Sequence, residues 1–93
     1  MSRVERIEKQ LTGIFAPERL AVIDESHLHA GHQPGFDGSG ATHIRVRIVS
    51  SAFTGKSRVE RHRAVNAALA AEVEDGLHAL ALETAAPGET VRW

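Results

Sequence analysis

The sequence predicts a single α+β domain in the order α-β-β-α-β, with a three-stranded mixed sheet covered on one face by two helices. Three observations carry that expectation. The string SRVER occurs twice, at 2–6 and 57–61, and each copy places Ser three residues before Glu, the pattern of a helix capping box. Three short apolar runs read as strands, the second of them with a clear two-residue alternation. The chain has 93 residues, of which 42% are hydrophobic, enough for one modest core and too little for two.

Behind Ser2, the positions Val4, Ile7, Leu11 and Ile14 recur with helical spacing, and Ala16-Pro17 ends the pattern because the residue before Pro is pushed out of the helical region. The first helix is therefore expected from about Arg3 to Phe15. LAVID at 20–24 and HIRVRIV at 43–49 read as strands, the second with Ile44, Val46 and Ile48 on one face and Arg45 and Arg47 on the other. A second capped helix begins after Ser57, carries Val59, Val65, Leu69 and Val73 along one stripe, and stops at Asp75-Gly76, where Gly suits a left-handed turn. HALALET at 78–84 sets Leu80 and Leu82 on one face of a third strand. A strand, helix, strand succession favours a right-handed crossover, so the third strand should lie parallel to the second, while the first two pair antiparallel.

Composition narrows the function classes. A charged fraction of 25%, a formal charge of -1 and a pI near 6.6 describe an ordinary globular chain rather than a disordered tail or a strongly cationic binder. With no Cys, neither a disulfide scaffold nor a self-sufficient thiolate cluster is available. No apolar run approaches membrane length and the start of the chain is charged, so a cytoplasmic protein without membrane attachment is expected. SAFTGKS lacks the first Gly of a phosphate-binding loop, no Gly-x-Ser-x-Gly elbow occurs, and no carboxylate pair has catalytic spacing. An enzyme is not expected.

Two features remain. The connection 26–42 is long and rich in Gly and His, and reads as a flexible loop. It holds His27, His29 and His32, whose spacing is not that of a helical zinc site, so a metal half-site and a set of solvated imidazoles both stay open. His78 opens the last strand at a place solvent can reach, whereas His62 lies beside the second helix's apolar stripe and is expected to be packed and hydrogen-bonded. The second feature is a basic stretch, Arg45, Arg47, Lys56, Arg58, Arg61 and Arg63, opposed only by Glu60, which could contact nucleic-acid phosphates or an acidic protein.

DES with His29 beyond it, THIRVRIVSSAFTGKSRVERHRAVNAALAAEV over 42–73 and HALALETAAPGE over 78–89 together resemble the BolA family across essentially the whole chain. The resemblance implies one BolA-like domain over 1–93, similar to a class II KH fold. It further implies a non-enzymatic partner of a monothiol glutaredoxin. The two would share a bridging [2Fe-2S] cluster in iron-sulfur assembly or trafficking, or in iron and redox signalling, with glutaredoxin and glutathione supplying sulfur and this chain supplying nitrogen. By the same resemblance His78, in the HAL motif, is one ligand and His29 the loop ligand, with His32 its competitor. His62 matches the family's helical histidine. The isolated chain is expected without cofactor, as a monomer or weak homodimer. The alternative the family offers is a DNA-binding transcriptional regulator of stress response and morphology, using the basic residues from Arg45 to Arg63.

Overall fold

The computed structural model describes residues 2–26 and 42–93, so the expected flexible loop, with His27, His29 and His32, lies outside the described residues. The elements are α1 (Arg3–Phe15), β1 (Arg19–Asp24), β2 (His43–Val49), a 3₁₀ turn (Ser51–Phe53), α2 (Arg58–Ala68), α3 (Ala70–Glu74) and β3 (Ala79–Ala85). The sheet order is β1-β2-β3, with β1 antiparallel and β3 parallel to the central strand, as the sequence predicts.

Both capping boxes form. The Ser2 hydroxyl accepts the Glu5 N–H and the Ser57 hydroxyl accepts the Glu60 N–H, while each Glu carboxylate reaches back to the cap's own N–H. Ala16 stops α1 by turning left-handed, at φ 43° and ψ 55°, rather than extended. That geometry lets its N–H bond the Thr12 carbonyl, at the strain a Cβ brings to this region.

Helices and sheet meet on one face. Ile44, Val46 and Ile48 of β2 are buried against Ile7, Leu11 and Phe15 of α1 and Val65 and Leu69 from the second helical stretch, with Leu20, Val22, Leu80 and Leu82 packed around them. Burying each such side chain contributes about 1.5–3 kcal/mol. Phe53, delivered by the 3₁₀ turn, plugs the end of this core with its ring 5.2 Å from that of Phe15.

Two expectations about the helices need correction. Ile14 is 58% exposed and Phe15 takes its place in the stripe. The expected second helix is two, α2 and α3, broken at Leu69, and its stripe keeps only Val65 and Leu69; Val59 and Val73 are 57% and 50% exposed. Val59 precedes Val65 by six positions, about 120° around a helix, which carries it off the buried side. The last turn is oriented by charge instead: Glu72 is buried and accepts from Arg6 Nε and Nη2, both at 3.0 Å, with Arg3 Nε at 3.2 Å. Those contacts tie α3 to α1 and leave Val73 facing out.

Candidate functional site

The end of the sheet where β2 and β3 begin gathers His43 and His78. After α3 the chain makes a Schellman turn: Leu77 N–H bonds the Glu72 carbonyl at 3.0 Å and Gly76 N–H bonds Val73 at 3.2 Å. Gly76 sits at φ 110°, a conformation side chains resist, and Leu77 is buried immediately after it. With Leu77 anchored inward, His78 emerges exposed one residue before β3. Its backbone is fixed, because the Thr42 carbonyl accepts both His78 N–H at 2.9 Å and Ala79 N–H at 3.1 Å.

Ser26 builds the other side of this rim. It is buried, its N–H donates to Asp24 Oδ1 at 2.8 Å, and its hydroxyl accepts Thr42 N–H at 2.8 Å and His43 N–H at 3.1 Å. Ser26 and Thr42, the described residues on either side of positions 27–41, are therefore stapled together, and Thr42 is bonded to His78. The His43 ring is 6.5 Å from that of His78, centroid to centroid, and its Nδ1 is 2.9 Å from Thr42 Oγ1. His43 was not singled out by the sequence, where it reads as the first residue of a strand. The signal was the parallel register, which sets His43 beside Ala79 and so beside its neighbour His78.

His62 is half-buried on α2, but its buried Nε2 has no hydrogen-bond partner, so the bond expected of it is not made at that atom. Among the described residues no group of three or more His, Asp or Glu side chains could by itself hold a metal ion.

The structure divides the basic residues. Arg45 and Arg47 lie on the sheet face opposite the helices and are neutralised there: Arg45 Nε is 2.9 Å from Glu25 Oε2 and Nη1 3.5 Å from Glu83 Oε2, and Arg47 Nε is 2.7 Å from the same Glu83 oxygen. The Arg47 hydrogen bond, with Arg45 beyond it, holds the Glu83 carboxyl below its ordinary value. Arg61 forms a bidentate pair with Glu89 at 2.6 and 2.9 Å. That pair, with the Ala86 N–H, holds the Glu89 carboxyl down to about 2. Lys56, Arg58 and Arg63 are exposed and form no ion pair among the described residues.

Fold and rim together define a small α+β domain that presents a solvent-facing histidine at the end of a half-covered mixed sheet. The chain belongs to the family described as BolA-like protein, which matches over residues 11–89. It is 67% identical over 93 residues, the full length of both chains, to an uncharacterized protein in the cobS 5′ region of a Sinorhizobium species. It is 40% identical over 80 residues to the DNA-binding transcriptional regulator BolA of Escherichia coli K12, covering 86% of this chain and 71% of that one. Among solved structures, the BolA domain of SufE1 from Arabidopsis thaliana superposes with a TM-score of 0.85 at 43% identity, covering 97% of this chain and 98% of that one. In two longer plant relatives the chain spans 24% and 56% of the length. No helix among the described residues is long and apolar enough to cross a membrane.

Proposed function

We propose that the protein is a non-enzymatic partner of a monothiol glutaredoxin, and that the pair shares a bridging [2Fe-2S] cluster for iron-sulfur trafficking or iron and redox signalling. The observation that carries the reading is the rim itself. His78 is exposed on a backbone held by the Thr42 carbonyl, and the Thr42 N–H is bonded to the Ser26 hydroxyl, so the two described residues that flank the stretch containing His29 and His32 in sequence are tied together next to His78. The donors fit one share of a mixed-ligand cluster: the chain has imidazoles and no thiolate, so sulfur must come from glutaredoxin and glutathione.

In this reading His78 holds one position on iron and His29, with His32 as competitor, holds the second. A bound cluster supplies a transferable iron-sulfur unit and a one-electron redox centre. This chain's own contribution on the described side is to hold the His78 backbone in place and leave its imidazole exposed to a partner. Because protonation competes with iron for the same nitrogen, nitrogen ligation makes the assembly more acid-labile than four thiolates would.

Anaerobic reconstitution with a monothiol glutaredoxin and glutathione tests this, followed by visible absorption and circular dichroism for wild type, His29→Ala, His32→Ala, His43→Ala and His78→Ala. A spectrum distinct from that of glutaredoxin alone, lost with His78→Ala and with one loop variant, is the expected result. Spectra indifferent to every histidine sink the proposal.

A second reading, DNA binding, is favoured by Lys56, Arg58 and Arg63, which form no ion pair among the described residues, and by the similarity to the DNA-binding transcriptional regulator of E. coli. It predicts affinity that falls steeply with salt and is abolished by charge reversal at Arg58 and Arg63, with cluster assembly intact.

A further inference from the structure

A cleft of about 350 Å³ lies between the start of α2, the end of β3 and the segment 90–93, lined by Arg58, Arg61, Glu83, Thr90, Arg92 and Trp93, among others. Its size is at the lower end for small-molecule sites, roughly 300–1,000 Å³. Its charge is unbalanced in a specific way. Glu83 is engaged by Arg47 and Arg45, and Arg61 is held bidentately by Glu89. What is left are two guanidiniums, Arg58 and Arg92, brought together from positions 34 residues apart in the chain and forming no ion pair among the described residues.

The wall opposite α2 is fastened although it is neither helix nor strand. Arg19 Nη2 donates to the Trp93 carbonyl at 2.8 Å, and the Arg19 guanidinium lies 4.9 Å from the indole centroid. Glu89 joins the same segment to α2 through Arg61 and accepts the Ala86 N–H at 2.8 Å. A site whose walls are set before a ligand arrives loses less on binding.

We infer that this cleft binds a small-molecule phosphate monoester, its oxygens shared between the guanidiniums of Arg58 and Arg92 and its organic part lying against Trp93. Charge selects the ligand class. A phosphate monoester carries about -1.5 to -2 at neutral pH and three acceptor oxygens, matching two guanidinium forks. A single carboxylate or a phosphodiester carries half of that, and a nucleic-acid backbone needs a track of cations, whereas this cleft is compact and its other charges are already paired. The site is at the opposite end of the strands from the His78 rim and stands or falls independently of the cluster.

Trp93 is the only tryptophan, so its fluorescence reports on the cleft directly. The wild-type chain is titrated at constant ionic strength with inorganic phosphate, ribose 5-phosphate, AMP, a phosphoserine peptide and dimethyl phosphate, with amide chemical shifts followed in parallel. Saturable change with the monoesters, weaker response to dimethyl phosphate, and shifts centred on Arg58 and residues 90–93 are expected. Arg58→Gln and Arg92→Gln should each weaken binding about tenfold or more, the loss of one charge-assisted contact, with Arg63→Gln unchanged and all variants folded by circular dichroism. The ranking of AMP and ribose 5-phosphate against the peptide tells a small-molecule carrier from a protein one, and a peptide that binds more tightly overturns the small-molecule assignment. No saturable response to any monoester, dimethyl phosphate binding equally well, or equal weakening by Arg63→Gln overturns the site altogether.

Discussion

Ser26→Ala is the substitution that most sharply separates the rim's architecture from the stability of the core. The Ser26 hydroxyl accepts two backbone N–H groups, Thr42 at 2.8 Å and His43 at 3.1 Å, and the residue is 3% exposed. Each such bond contributes a net of about 0.5–1.5 kcal/mol, so alanine should cost about 1–3 kcal/mol. Thr42 and His43 are only half-buried, so water reaches the freed donors by opening the start of β2 and the loss stays near the middle of that range. With a urea dependence of about 1–3 kcal/mol per M for a domain of this size, a 2 kcal/mol loss lowers the midpoint by about 1 M at unchanged slope. Urea denaturation gives that number, and amide exchange localises it: protection at Thr42, His43, His78 and Ala79 should fall while Val46 and Ile48 change little. Because the Thr42 carbonyl holds the His78 and Ala79 N–H groups, a loosened Thr42 also loosens His78. An unchanged midpoint together with unchanged protection at these four residues would refute the staple.

Gly76→Ala forces a Cβ onto φ 110° and should lower stability by about 1–2 kcal/mol, read as a fall of several degrees in the thermal midpoint. Ala16→Gly relieves the left-handed strain at φ 43° and should stabilise by about 0.5–1 kcal/mol after glycine's entropic cost, measurable as a higher urea midpoint. Glu72→Gln removes the carboxylate shared by Arg3 and Arg6 and should cost about 2–3 kcal/mol at neutral pH, less than a wholly buried pair because Arg6 is partly exposed. The Arg6 hydrogen bond holds the Glu72 carboxyl below its ordinary value of 4.5, so its contribution is complete above that value and disappears as pH falls through the lower, folded one. Urea midpoints of wild type should therefore decline from about pH 4.5 downward, and the decline should be shallower in Glu72→Gln; parallel curves would contradict the assignment.

What the sequence revealed about the fold was local in origin. The capping boxes at Ser2 and Ser57 act over three residues, the alternation of Ile44, Val46 and Ile48 is a property of one strand, and Gly76 marks its own turn. Contacts between distant residues decided the rest. The rotation that exposes Val73 depends on Glu72 meeting Arg6, 66 positions away, and no helical pattern contains that information. Phe53 reads as a loop residue until its ring is seen against Phe15. The basic stretch looks continuous in sequence, yet Arg45 and Arg47 sit on the open sheet face with Glu25 and Glu83, and Arg61 belongs to Glu89. His78 was legible as a reachable residue because Gly76 precedes it. Its neighbour His43 was hidden, since only the pairing of β2 with β3 brings the two rings to 6.5 Å. Ser26 stands in the DES string, but its role as the acceptor of two N–H groups depends on Thr42, 16 residues later in the chain.

The most direct measurement of the central claim is pulsed electron paramagnetic resonance on the reduced [2Fe-2S] complex assembled from this chain labelled with ¹⁵N-histidine and an unlabelled monothiol glutaredoxin with glutathione. The account predicts a directly coordinated ¹⁵N coupling that disappears in His78→Ala. A reduced cluster without any strong ¹⁵N coupling from this chain would mean that its histidines do not hold the iron.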